Sequence, residues 1–180
     1  QLISDAGLIM TPFARLRTDI THTENLPGAA VTSETTNRVL PSAGLDVRYP
    51  FMANYAFGQS IISPVFQIIA ATDETETASI GNEDAITLNF DHSSLFLEDR
   101  FTGLDRYEGG TRANVGMTYS FLGANGGFLR ASAGESFHIA GENSFAAGSG
   151  LDGSSSDLVA AVLLQPWEEL GLSYEVRAEE

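Results

Sequence analysis

Cysteine is absent from the 180 residues, and so is lysine: all nine basic residues are arginine, set against 24 Asp and Glu. Without thiols there is no disulfide framework, no Cys-ligated zinc, no iron–sulfur cluster and no cysteine nucleophile. The formal charge of −15 excludes a nucleic-acid binder that works by neutralising phosphates. No stretch approaches 18 consecutive apolar residues, so no helix is expected to span a membrane. Gln1-Leu2-Ile3-Ser4-Asp5 lacks a basic start followed by an apolar run, so no signal peptide is expected there. With 43% hydrophobic and 18% charged residues, the chain is too apolar for a disordered acidic tail.

What is present is a period of two. From Met10, one face carries Met10, Pro12, Ala14, Leu16, Thr18 and Ile20, and the other Thr11, Phe13, Arg15, Arg17, Asp19 and Thr21. Val39, Pro41, Ala43, Leu45, Val47 and Tyr49 likewise oppose Leu40, Ser42, Gly44, Asp46 and Arg48. Ala113, Val115, Met117, Tyr119 and Phe121 oppose Arg112, Asn114, Gly116, Thr118 and Ser120, and the alternation returns over Leu129–Gly134 and Leu170–Arg177. Strands have this period and helices do not. Tyr55–Ala71 and Asp157–Gln165 are more continuously apolar. The pattern predicts one domain of about seven strands, mostly some 9–15 residues long, where soluble strands average about 5–6. Turn-rich linkers are expected at Glu24–Asn37, Thr72–Asp84 and Ala124–Gly127, a charged inserted loop at 82–110, and a flexible Gly/Ser loop at 141–156.

Alternation leaves open which face is wet. A soluble sandwich or small barrel turns its apolar face inward, whereas an outer-membrane barrel turns it to lipid. The strands are long enough to cross a bilayer when tilted. The polar faces use small residues and isolated charges, and aromatics such as Tyr49, Phe51, Tyr119 and Phe121 sit near strand ends. These features favour the membrane form. The fold class read from them is all-β: long antiparallel strands in up-and-down order, part of an outer-membrane β-barrel. The alternative is a self-contained small β-barrel that binds an apolar ligand or serves as a membrane structural protein.

One segment breaks the rhythm. It opens with Asn82-Glu83-Asp84, passes through Phe90-Asp91, Leu95-Phe96 and Arg100-Phe101-Thr102-Gly103, and closes with Asp105-Arg106 and Glu108-Gly109-Gly110-Thr111-Arg112-Ala113-Asn114. This signature resembles the C-terminal barrel region of the LptD (organic solvent tolerance protein) family in its alphaproteobacterial form. Leu45-Asp46-Val47-Arg48-Tyr49-Pro50 and Ser63-Pro64-Val65-Phe66-Gln67 are similar to that family's preceding strands, and Leu163-Leu164-Gln165-Pro166 to a following one. The resemblance implies a non-catalytic conduit that assembles lipopolysaccharide at the bacterial cell surface, in contact with outer-membrane lipid. It implies a parent with more strands and a periplasmic domain, of which these residues are an internal piece. An LptE-like plug lipoprotein and an LptA-like periplasmic bridge are the parent's implied partners. The motif loop is Asn82, Glu83, Asp84, Asp91, Arg100, Asp105, Arg106, Glu108, Gly109, Gly110 and Arg112, and the resemblance implies that it sits inside or over the pore.

The residues themselves call for no chemistry. Asp73/Glu74 and Glu83/Asp84 read as solvated loop acids, since no nucleophile or histidine accompanies them. His22, His92 and His138 show no metal-ligand spacing, and Ser93-Ser94 and Ser154–Ser156 no nucleophile elbow. Gly109-Gly110 reads as a bend into a strand, because no helix or lysine follows to make a phosphate loop. No catalytic residue, cofactor or resident metal is expected. Arg100, Arg106 and Arg112 beside Asp99, Asp105 and Glu108 are expected to form one ion-pair network, since the planar guanidinium suits carboxylates. Contact with anionic lipopolysaccharide is expected to need divalent cations bridging acids such as Asp73, Glu74 and Glu76 to phosphates.

Overall fold

The computed structural model describes residues 1–24, 33–74, 80–86 and 89–179. Among these residues nine strands form one antiparallel sheet: β1 (Leu2–Ile3), β2 (Ile9–Glu24), β3 (Ser33–Arg48), β4 (Phe51–Tyr55), β5 (Gly58–Ala71), β6 (Gly110–Gly123), β7 (Phe128–Ala140), β8 (Leu158–Trp167) and β9 (Leu170–Ala178). Their spatial order is β1-β2-β3-β5-β6-β7-β8-β9, with β4 paired to β5, so the chain runs up and down without a crossover.

β3 and β4 follow one line along β5. Arg48 faces Val65 and Phe51 faces Ile62, so the register passes unbroken through the two residues between. Pro50 and Pro64 lie in that interval and bring no N–H, which interrupts the ladder without shifting it. β3 also begins earlier than composition suggests. Residues 33–37, assigned above to a linker, pair with β2 out to Ser33↔Glu24. Both ends of that pairing are polar on both faces, so they carry no apolar alternation to read. The remainder of that linker, 25–32, lies outside the described residues, as do 75–79 of the next one and Thr87-Leu88 of the motif.

The stagger of the strands measures their tilt. A row of partners starts at Ile9, the first residue of β2, and runs through Arg48, Val65, Gly116 and Gly134 to Val159, near the opposite end of β8. β8 continues about eight residues past that point, roughly 26 Å at ~3.3 Å per residue, while five interstrand steps of ~4.8 Å cover roughly 24 Å. The strands therefore lean about 45° from the normal to a plane through their ends, the inclination that barrel walls adopt.

The two faces have opposite fates. On one, Leu16, Ile20, Val39, Phe66, Val115, Met117 and Tyr174 are exposed, Ile20 at 80% and Tyr174 at 70%. On the other, Arg38, Ser42, Gln67, Arg112, Asn114 and Ser136 are buried, Asn114 completely. A soluble barrel with its apolar face inside has the reverse arrangement. A mid-strand acid breaks the pattern: Glu135 shares its row with Phe66 and Val115, and the Ser155 hydroxyl donates to its carboxylate. Aromatic residues gather where the connections are short. Tyr49 and Phe51 have ring centroids 4.5 Å apart, Tyr55 and Phe57 5.2 Å, and Phe57 and Phe121 5.9 Å, with Trp167 exposed at the next turn.

The polar face is buried because long connections fold onto it. Phe90, Leu95 and Leu151 bury against Val159, with Phe96 and Phe145 packed beside them. The β7–β8 connection, whose residues 141–156 read from composition as flexible, is bonded down. His138 N–H donates to Ser154 O (2.9 Å), Ser156 N–H to Ser136 O (2.8 Å) and Asp157 N–H to Gly150 O (2.9 Å). Leu151, at 5% exposure, anchors it to the apolar cluster. Gly and Ser serve here to turn the backbone tightly, as the positive φ of Gly148 and Gly150 shows.

Candidate functional site

The connection from β5 to β6 lies over the polar face and is held in three places. The first is a buried triad in which Glu108 lies between two arginines. Arg100 Nε donates to Glu108 Oε2 (2.9 Å) and Oε1 (3.1 Å), and its Nη2 also reaches Oε1. Arg112 Nη1 lies 3.1 Å from the same Oε1, while Nη2 donates to Leu97 O (2.9 Å) and Glu98 O (2.8 Å). All three side chains are at most 4% exposed. The Arg100 guanidinium also lies 5.3 Å from the Phe145 ring centroid and 5.8 Å from that of Phe90, a cation–π arrangement joining both long connections.

The second is a pair of interlocked turns. Asp105 Oδ2 accepts from the Glu83 N–H (2.7 Å) and the Asp84 N–H (3.0 Å), and Asp84 Oδ1 accepts in return from Leu104 (3.0 Å) and Asp105 (3.1 Å). These amide donors, Leu104 first, hold the Asp84 carboxyl below its usual range. Asn82 Oδ1 caps the Ala85 N–H (3.0 Å). Asp91 closes a separate turn, accepting from Ser93 (2.8 Å) and Ser94 (3.0 Å). Burial pushes Asp91 upward, but the Ser93 hydroxyl and the two amides outweigh it, and its carboxyl also lies low.

The third is supplied by the wall, which the reading of the motif missed. Arg38 on β3, 3% exposed, pairs with Asp19 of β2 (3.0 Å) and donates to Leu104 O (2.6 Å) and Asp105 O (3.0 Å). Arg17 reaches Leu104 O as well, and Arg15 bridges to Glu98 (2.8 Å). Gln67 Nε2 donates to Phe96 O (3.1 Å), and Gln67 Oε1 accepts from Asn114 Nδ2 (2.7 Å). The signal was in the sequence: Arg15, Arg17, Asp19 and Arg38 lie on polar faces, and charges on an enclosed face need partners.

The structure thus brings Arg100, Glu108 and Arg112 together, and Asp84 with Asp105, but not as one network. Arg106 donates to Ile80 O (3.2 Å) and Asp105 O (3.1 Å) and, among the described residues, to no carboxylate. The Asp99 carboxylate accepts from Phe101 (3.1 Å) and Glu108 (3.2 Å) backbone N–H groups. In such tight turns the unpaired amides are nearer than any guanidinium, and they take the aspartates first. Burial pushes Asp99 upward, against those two amides. Gly109 and Gly110 stand where the chain enters β6. Gly110 has φ +78°, and a Cβ on Gly109 would lie 2.8 Å from Thr72 O.

Asp73 and Glu74 are not free loop acids. Asp73 Oδ1 accepts from Glu142 N–H (2.8 Å), and Glu74 lies 3.5 Å from Arg38. Burial raises the Glu74 carboxyl, with Arg106 and then Arg38 opposing. Two of the three acids expected to bridge divalent cations are therefore committed within the chain, and Glu76 lies outside the described residues. Among those described, no three His, Asp or Glu residues converge on a point that could hold a metal ion.

Leu95 and Phe96 seat in a notch of the wall. A Cβ on Gly134 would lie 2.5 Å from Leu95 Cδ2, and one on Gly116 3.0 Å from Phe96 Cζ. Only glycine lets both side chains approach the wall so closely. A tilted up-and-down sheet with its apolar side bare, its polar side lined with charges, and a connection pinned against that polar side is wall of an outer-membrane β-barrel. The model of the LptD family, LPS transport system D, matches residues 1–177, and the chain belongs to that family. No curated protein matches it. LptD proteins act in lipopolysaccharide transport and assembly at the outer membrane of Gram-negative bacteria, and this chain is a component of that machinery.

Proposed function

We propose that these residues are a length of LptD barrel wall resident in the outer membrane, and that they act as a conduit without catalysis. The polar inner face would carry the sugar portion of lipopolysaccharide and the apolar outer face would meet acyl chains. The 82–110 segment would act as a constriction folded into the lumen. Its fixed points are Arg100, Glu108 and Arg112 at the triad, Asn82, Glu83, Asp84, Asp105 and Arg106 at the interlocked turns, Asp91 at its own turn, and Gly109 and Gly110 at the entry to β6. The full-length parent would hold an LptE-like lipoprotein plug in its lumen and dock an LptA-like bridge in the periplasm.

The observation that carries this reading is the inversion of polarity: the face bearing Arg38, Asn114 and Arg112 is enclosed while Leu16, Ile20 and Met117 are bare. A conduit needs that inversion, since a polar cargo crosses beside polar side chains while lipid touches only the outside. The test is a photo-crosslinking amino acid placed in the parent barrel in living cells. Thr118 and Ser132, on the inner face, should capture lipopolysaccharide in transit, and capture should cease when lipopolysaccharide supply is blocked. Absence of the adduct at both positions refutes the conduit.

A further inference from the structure

Below the Leu95–Phe96 knob lies a cavity of about 520 Å³ between the 92–96 turn and the wall. Its lining is unlike the chain as a whole. In a protein of charge −15, two arginines line it, Arg48 and Arg130, against one carboxylate, Glu175. Arg48 is already held by Asp46 (2.8 Å), and Glu175 lies 4.0 Å from His92. Arg130 has no partner among the described residues. Arg130 is therefore the guanidinium of the lining that no described carboxylate holds, while Glu175 keeps its own charge on β9.

Hydroxyls surround it. Thr118 pairs across the ladder with Ser132, and Ser132 stands two residues from Arg130 on the same face of β7. Leu163 joins Arg130 to Ser173 in the neighbouring row. The side-chain hydroxyls of Thr118, Ser132 and Ser173 make no hydrogen bond within the described residues. Cross-strand neighbours lie about 5 Å apart and same-face neighbours along a strand about 7 Å. One guanidinium and three hydroxyls so spaced, with Leu95, Phe96 and Leu163 for apolar contact, match a ligand carrying a phosphate, several hydroxyls and a C–H face.

We infer that this cavity is a binding site for a phosphorylated sugar: Arg130 takes the phosphate, Thr118, Ser132 and Ser173 bind sugar hydroxyls, and Phe96 and Leu163 cover the ring. This deepens the conduit reading and rests on it, naming the part of the cargo that pauses below the constriction. An acidic segment of a partner protein is the competing occupant. It would use Arg130 but leave three aligned hydroxyls without purpose.

The test uses the parent barrel in nanodiscs with three soluble probes: glucosamine 1-phosphate, glucosamine and inorganic phosphate. The site should bind glucosamine 1-phosphate more tightly than either other probe. Arg130→Gln should weaken that binding about tenfold or more, the scale of one charge-assisted hydrogen bond, and leave glucosamine unchanged. Ser132→Ala with Thr118→Val should weaken both sugars. Equal affinity for phosphate and glucosamine 1-phosphate, or no effect of Arg130→Gln, overturns the assignment. A photo-crosslinker at Ser173 in cells separates the two levels. Capture of lipopolysaccharide that falls with Arg130→Gln supports the site, whereas capture indifferent to Arg130 sinks the site and spares the conduit. Capture of a protein in place of glycolipid rejects the site, and no glycolipid at Ser173, Thr118 or Ser132 rejects both.

Discussion

Replacing Glu108 by Gln should release the 82–110 segment from the wall without unfolding the wall. Glu108 neutralises one of two buried guanidiniums, and its oxygens lie 2.9–3.1 Å from both Arg100 and Arg112. The amide keeps the shape of the carboxylate but leaves two like charges buried together. Breaking a buried pair in this way costs about 3–5 kcal/mol, or a shift of roughly a hundredfold to several thousandfold toward the open segment. The β5–β6 ladder, paired from Gly58↔Gly123 to Ala71↔Gly110, does not depend on the triad. Hydrogen exchange of the parent barrel in nanodiscs should therefore show lost protection confined to about residues 95–108, with the strand amides unchanged. Glu34→Gln, at an exposed strand end, serves as the control. Removing Arg100 as well, in Arg100→Met/Glu108→Met, should cost less than the two single changes added together, by about 1–3 kcal/mol. Wild-type protection in Glu108→Gln would refute the claim that the triad holds the segment.

Arg106→Ala removes hydrogen bonds to two carbonyls and, among the described residues, no close ion pair, so it should loosen the region around Ile80–Ile86 by only about 1–2 kcal/mol, seen as protease sensitivity well short of that of Glu108→Gln. The Asp84 carboxyl is depressed, so its contribution is complete above the ordinary aspartate pKa of about 3.9 and disappears as pH falls through its lowered value. Exchange of the Leu104 and Asp105 amides, corrected for intrinsic rates, should accelerate below about pH 4 in wild type and lose that dependence in Asp84→Asn. Gly134→Ala would drive a Cβ into Leu95 and the Val115 carbonyl, each 2.5 Å away, and should lower the thermal stability of the assembled barrel by about 1–3 kcal/mol.

The alternation of β2, β3 and β6 is plain in the sequence because each has one bare apolar face. Tyr55–Ala71 and Asp157–Gln165 looked two-sided for a physical reason. Val65, Ile69 and Val159 point to the inner face but are buried, Val159 beneath Phe90, Leu95 and Leu151, so both faces of those strands are apolar. No period in a strand reveals what a distant loop will cover. The motif's arginines and carboxylates were legible as a group, and their partners were not. Arg106 and Asp105 differ from Arg100 and Glu108 only in whether backbone donors or acceptors lie nearer, which the turn geometry decides. Arg38 escaped notice because its partners, Asp19 and Leu104, lie 19 and 66 residues away.

The orientation of the wall is most directly read from β6, where Met117 and Thr118 are adjacent and point to opposite faces. In the parent barrel with its other tryptophans replaced by Phe, a single Trp is placed by Met117→Trp or by Thr118→Trp, and the protein is reconstituted in bilayers carrying brominated acyl chains. Met117 is 48% exposed on the apolar face, and Thr118 lies on the face that lines the cavity. Tryptophan at 117 should be quenched and tryptophan at 118 should not. Quenching at 118 with none at 117 would contradict a wall that shows its apolar face to lipid.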